Sequence, residues 1–132
     1  MIQVTAAILI QDDRILIAQR LPNDKLAGQW EFPGGKIEEN ETARQCLVRE
    51  MKEEFGIEVA VNEFFAESIH RYAAQTIRLI AYRVVWQGGN FVLNAHAAIR
   101  WVPLNQLGEF EFAPADKPFV EKLQKRCAAS GN

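Results

Sequence analysis

The stretch from Thr42 to Gly56 constrains this chain more than any other, because it reads as a helix whose two sides need different surroundings. Thr42 with Gln45 three residues later forms a capping box, and Gly56 stops the run after Phe55, which predicts one helix over 42–55. On a wheel of about 100° per residue, Leu47, Met51, Phe55 and Val48 form an apolar stripe suited to packing on a sheet. Glu50, Glu53 and Glu54 share an adjoining arc about 100° wide. The small residues Ala43 and Cys46 lie beneath that arc, which predicts open space beside the carboxylates. Like charges three and four residues apart destabilise a helix and raise carboxyl pKa values, and a divalent cation reverses both effects. Oxygen-only ligands select a hard ion, so Mg²⁺ is the expected cofactor and Mn²⁺ a substitute. An acidic triplet alone is equally the pattern of a solvated helix face, and the helix by itself leaves both readings open.

The flanking sequence supplies the sheet. Val4, Ala6, Ile8 and Ile10 alternate with their neighbours, and Asp12-Asp13 turns the chain into a second β-rich run over 15–18. A polar loop over 22–28 leads to Trp30-Glu31-Phe32 and then to the obligatory turn Pro33-Gly34-Gly35. Beyond the helix, 58–61, 64–72, 76–86 and 99–102 read as strands, with turns at 73–75 and 88–90. Phe119, Val120, Leu123 and Cys127 follow Pro118 at helical spacing. The order predicts an α/β sandwich with a mixed sheet.

Composition narrows the class. A chain of 132 residues, 48% hydrophobic and 24% charged, has room for one domain (1–132) and is too apolar to be disordered. A net charge of −2 gives no basic surface for polymeric nucleic acid. The apolar run 6–10 is far too short to span a membrane, and Cys46 and Cys127 lie in no metal-like spacing, so reduced thiols in a cytoplasmic protein are expected. Residues 128–132 read as a fraying tail. Nothing in the chain specifies an oligomeric state.

From Gly35 the sequence runs GKIEENETARQCLVREMKEEFGI, which fills Gly-x5-Glu-x7-Arg-Glu-apolar-x-Glu-Glu-x-Gly-apolar without a gap. Chance would produce this in a chain of this size with odds of roughly one in several million. The pattern is the Nudix box, and the chain resembles the Nudix hydrolases from its opening Ala-Ala-Ile-Leu strand to Phe112-Ala113-Pro114-Ala115-Asp116. Within that family it looks most like the MutT and CTP pyrophosphohydrolase branch, through the run Trp30 to Glu38 and the late Ala-Pro-Ala-Asp segment.

The resemblance implies a Nudix-type α/β/α sandwich and a small nucleotide substrate, cleaved by water to a nucleoside monophosphate and pyrophosphate. By position it makes Glu53 and Glu54 the principal metal ligands and catalytic carboxylates. Glu50 becomes a ligand that also accepts the proton of the attacking water, and the Gly34 carbonyl a backbone ligand. Arg49 and Glu41 brace the loop against the helix, while Lys36 and Arg20 reach phosphate oxygens. Phe32 lies near the base and Asp116 reads its edge, and an ionised Asp116 accepts only, favouring the donor edges of guanine or cytosine. The competing role for Asp116 is a helix N-cap, and Glu31 is read as an anchor for the loop. The family pattern also carries an acidic residue five or six positions before Trp101, where this chain has Ala95-His96-Ala97-Ala98-Ile99-Arg100. His96 is read as an ordinary polar loop residue and His70 as structural or at the pocket rim. The implied activity is Mg²⁺-dependent pyrophosphohydrolysis of altered nucleotides such as 8-oxo-dGTP, cleaning the nucleotide pool in support of DNA repair. Hydrolysis of CTP or a modified dCTP is the alternative, and a non-catalytic Nudix nucleotide sensor is the alternative of another class.

Overall fold

A computed structural model describes the backbone of residues 1–130 and the side chains of 1–126. β1 (Ile2–Gln11) runs parallel to β5 (Thr76–Gly88), from Ile2 opposite Ile77 to Leu9 opposite Val84. β4 (Glu58–Arg71) lies antiparallel on the outer side of β5. At its far end β1 turns to β2 (Arg14–Gln19), and β2 pairs on its flanks with the short β3 (Trp30–Glu31) and with β6 (Ala98–Pro103). The hairpin turn is made by Asp12 and Asp13 at φ 54° and 62°. Two consecutive left-handed residues match the twist of the flanking strands, and aspartate tolerates that region better than most side chains.

Period-2 alternation along β1 and β2 sorts the core into two layers. Ala6, Ile8, Ile15 and Ile17 face Phe119, Val120 and Leu123 of α2 (Lys117–Ser130). Ala7, Leu9, Leu16 and Ala18 face Leu47, Met51 and Phe55 of α1 (Ala43–Phe55). The result is the expected α/β/α sandwich with a mixed sheet. α1 has the expected ends: Thr42 accepts from the Gln45 amide in a complete capping box, and Gly56 closes the helix in the left-handed region at φ 71°.

Four expectations need correction. The separate runs 58–61 and 64–72 are one strand, β4, whose register shifts at Val61/Phe64 and Phe64/Ala66 absorb the interruption. Val48, assigned to the apolar stripe, is exposed, because it falls past the arc of α1 that the sheet covers. Cys46 leaves no open space beneath the carboxylates: it is fully buried, with Sγ against Thr5 Oγ1 and the Gly35 carbonyl, each at 3.3 Å. Residues 128–130 continue α2 rather than fray, since the helical run carries through Ser130, while 131–132 and the Cys127 side chain lie outside what is described. Among the described residues no helix is long and apolar enough to cross a membrane.

Truncating the core and truncating the cap should cost very different amounts. Phe119→Ala, emptying a site with no exposure, is expected to lower unfolding free energy by about 3–5 kcal/mol. Thr42→Ala should lower it by about 1 kcal/mol. Urea titrations of both variants check the order, and equal losses would contradict this account of the two layers.

Candidate active site

The site begins with the glycine loop. The amides of Thr5 and Ala7 donate to the carbonyls of Gly35 and Pro33 at 2.8 and 2.7 Å, and Ile37 donates to Gln3 at 3.0 Å, so the loop is zipped along β1. These bonds use the carbonyls of Pro33 and Gly35 and leave that of Gly34 out. Only glycine fits here. A Cβ on Gly34 would overlap the Thr5 carbonyl, and one on Gly35 would overlap the Glu50 carboxylate, which rests directly against the loop backbone.

Arg49 joins this loop to the helix. Its guanidinium donates to Glu41 at 2.7 and 3.0 Å, to the Lys36 carbonyl at 3.1 Å, to Glu50 at 2.7 Å and to Glu53 at 3.1 Å, with Glu38 at 3.3 Å. Bracing by Arg49 and Glu41 is therefore a matter of direct contact. Hydrogen bonds from Arg49 hold the Glu41 carboxyl down to about 2, and the same bonds raise Arg49 above its ordinary value.

The three box carboxylates differ in environment. Glu53 is largely exposed and held only by Arg49 in an i,i+4 pair, an interaction worth a few tenths of a kcal/mol. Burial raises the Glu50 carboxyl, with Arg49 partly opposing it. Glu54 is the exceptional group: burial and the neighbouring Glu50 and Glu31 charges push it up to about 8, and its buried Oε1 has no hydrogen-bond partner. Among the described residues no three acidic, histidine or cysteine side chains converge on one point. Arg49 Nη1 pairs with both Glu50 and Glu53, at 2.7 and 3.1 Å. The orphaned Glu54 oxygen, the Glu50 and Glu53 carboxylates on the same helix and the Gly34 carbonyl are all oxygen donors, the chemistry that suits a hard divalent ion.

Beyond the box the predicted residues are placed unevenly. Asp116 is buried, and its Oδ1 accepts from the Phe32 amide at 3.0 Å across the end of β3. Burial, joined by the Glu31 charge, raises it well above the usual carboxylate range, with the Phe32 amide and Arg20 opposing. It does not serve as an N-cap, because the 3-10 turn Pro114–Asp116 runs straight into α2. The Phe32 ring is not free to stack on a base: it is buried in the core against Phe112, with centroids 5.2 Å apart. What Phe32 contributes is its amide, which holds Asp116 in place. Arg20 is tied on three sides, donating to the Lys25 carbonyl at 2.8 Å and to Glu31 at 2.7 Å and pairing with Asp24 at 3.0 Å. Lys36 is exposed beside the glycine loop. His70 packs edge-on to Tyr72.

His96 corrects the sequence reading most. Its side chain is 4% exposed, with Nε2 at 2.8 Å from Glu31 Oε2. Its ring lies parallel to Phe55, at 5.3 Å and 6°. The missing signal was Phe55: only the fold shows that the end of α1 and residue 96 share one pocket.

The chain is an α/β/α sandwich that carries Glu50, Glu53 and Glu54 on one helix beside a glycine loop. The NUDIX domain model matches residues 1–123, and the chain belongs to the Nudix family. It is 40% identical over 129 residues to the CTP pyrophosphohydrolase of Escherichia coli K12, covering 98% of this chain and 96% of that protein. It is 32% identical over 116 residues to the 8-oxo-dGTP diphosphatase of the same organism, covering 87% and 89%. The solution structure of the E. coli ORF135 protein superposes with a TM-score of 0.86 at 40% identity, covering 98% of this chain and 92% of that one. The chain is a Nudix hydrolase, of a family that generally uses divalent metals.

The Glu54 environment sets a pH dependence with a definite sign. Its folded value of about 8 lies above its ordinary value of 4.5, so between these limits the folded state holds a proton that the unfolded chain has released. Stability should fall as pH rises from about 4.5 to about 8 and level off above. Glu41, held down, acts in the opposite sense only below its ordinary value of 4.5. Melting curves in a chelator should show a declining melting temperature from about pH 5 to about pH 8. Glu54→Gln should reduce that decline, with the raised Glu50 and Asp116 carboxyls keeping the remainder, and saturating divalent ion should reverse it; an unchanged slope in the variant would refute the assignment.

Proposed function

We propose that this chain hydrolyses nucleoside triphosphates to a nucleoside monophosphate and pyrophosphate with Mg²⁺, Mn²⁺ substituting. The observation that carries this reading is the buried, unpartnered Glu54 carboxyl beside Glu50 and the glycine loop. That arrangement destabilises the metal-free protein and gains only when a cation arrives. Glu50, Glu53, Glu54 and the Gly34 carbonyl would hold the ion, which when bound neutralises phosphate charge and lowers the pKa of water. Glu50 is the residue placed to accept the proton of the attacking water, because its carboxylate lies against the loop backbone and Arg49 fixes one of its oxygens. Lys36 extends from the glycine loop to meet phosphate oxygens. Arg20 contributes by anchoring Glu31, since its donors are already engaged.

The base end of the site is built around Asp116 and the end of β3. Asp116 accepts when ionised and also donates when protonated, so it suits a base edge with a donor, alone or next to an acceptor. 8-Oxoguanine presents a donor beside an acceptor at N7–H and O6 and again at N1–H and O6, the second of which unmodified guanine shares. An 8-oxo-dGTP-like substrate, which offers this edge twice, is the leading reading, in keeping with the 8-oxo-dGTP diphosphatases among the relatives. Cytosine N3 and its amino group offer the same donor and acceptor pair. The 40% identity to a CTP pyrophosphohydrolase along nearly the whole chain favours CTP or a modified dCTP as the second reading.

A panel of 8-oxo-dGTP, dGTP, CTP and 5-methyl-dCTP with product identification tests the proposal: pyrophosphate should be released, and inorganic phosphate alone would refute it. Tight nucleotide binding with no turnover of any member would instead make the protein a sensor. Glu53→Gln should lower turnover at least about 10²-fold with the fold retained. Asp116→Asn, which keeps a donor and an acceptor, should keep base preference, whereas Asp116→Ala should lose it; equal loss in both would place the base elsewhere.

A further inference from the structure

We infer that His96 is a positioning residue for the hydrolysis, its ring seated on Phe55 and its Nε2 holding the Glu31 carboxylate at a fixed place beside the end of the glutamate helix. The inference rests on the hydrolase reading and deepens it. The loop that carries His96 is fastened on both sides of the site. Val92 donates to the Phe55 carbonyl at 2.9 Å, Asn94 donates to the Glu54 carbonyl at 3.1 Å and, through its side chain, to the Glu53 carbonyl at 2.9 Å. These are the open carbonyls of the last helical turn. On the other side the Ala97 amide donates to the Gln19 carbonyl of β2 at 2.9 Å. One short segment thus ties the backbone of two box glutamates to the strand that pairs with β3.

His96 completes this tie at the side-chain level. Phe55 is the residue after Glu54, and Glu31 is the last residue of β3, so the imidazole spans the gap between the two elements. Glu31 is gripped at both oxygens, Oε1 by Arg20 at 2.7 Å and Oε2 by His96 at 2.8 Å. Its placement matters at both ends of the site, because its charge acts on Glu54 and on Asp116. Carboxylate oxygens accept, so Nε2 is the donor to Glu31, and Nδ1 is left buried without a partner among the described residues. A phenyl ring would fill the same space against Phe55 without an unsatisfied nitrogen. What imidazole adds over that ring is the bond to Glu31, and the residue is therefore explained by the site rather than by the core.

The test is a double-mutant cycle on the full chain with His96→Phe, His96→Gln, Glu31→Gln and the His96→Phe/Glu31→Gln double variant. His96→Phe should melt no lower than the parent, yet lose at least tenfold in kcat with KM for the nucleotide within threefold. His96→Gln, which keeps a donor at similar reach, should recover to within threefold of the parent. The double variant should be no slower than Glu31→Gln alone. If His96→Phe fails to fold, His96→Asn, too short to reach Glu31, takes its place in the cycle. Mn²⁺ titration followed by electron paramagnetic resonance without nucleotide gives a second readout, and affinity should weaken at least threefold in His96→Phe. A kcat within twofold of the parent in His96→Phe, a loss that multiplies onto Glu31→Gln, or unchanged Mn²⁺ affinity would overturn the inference. If the parent itself releases no pyrophosphate, it is the hydrolase reading that fails, and the Mn²⁺ titration still decides the role of His96.

Discussion

A single guanidinium holds the working parts of this protein in register. Arg49 reaches the loop through Glu41 and the Lys36 carbonyl, and the helix through Glu50 and Glu53, so the relative position of loop and helix is set by one planar fork. Lysine could not replace it, because a point charge on a flexible stem cannot serve several acceptors in fixed directions at once. The same fork keeps acidic side chains together that would otherwise repel one another. The cation is shared unequally: Glu41 is fully satisfied, Glu50 partly, Glu53 weakly, and Glu54 not at all. That gradient, from braced to unbraced, runs from the loop toward the place where chemistry is expected.

Two acids are kept in surroundings that disfavour their charge, at opposite ends of the site. Glu54 lacks a partner for its buried oxygen, and Asp116 has the Phe32 amide and the Arg20 charge to set against burial and the nearby Glu31 charge. The physical cause is common, yet the settings differ. Glu54 can be relieved by a cation, whereas Asp116 lies deep in the protein, where burial keeps its carboxyl raised. Glu31, gripped by Arg20 and His96, lies between them and biases both.

The sequence reveals what depends on local periodicity and spacing. The ends of α1 followed from Thr42, Gln45 and Gly56, since caps are local hydrogen bonds. The two-layer core followed from alternation in β1 and β2. What stayed hidden depends on residues far apart in the chain. The fusion of 58–61 with 64–72 required the register against β5. The fate of Phe32 required Phe112 and Phe119, which enclose its ring. Cys46 looked like a small residue making space, and only the crossing of β1 beneath it shows that its sulfur fills that space. The raised Asp116 carboxyl and the burial of His96 are likewise consequences of tertiary enclosure, which no spacing rule reports.

The sheet ends in β4, whose outer edge has no strand beside it in the sheet order. An unpaired border of that length invites a second molecule to zip onto it. Here register shifts at Glu58/Val59, Val61/Phe64 and Phe64/Ala66 interrupt its donor and acceptor spacing, and Glu58, Glu63, Glu67 and Arg71 are exposed along it. Exposed Phe64 and Ile69 are thereby separated by irregular backbone and charge. The irregularity that splits this strand in the sequence thus also makes its margin a poorer template for a further strand.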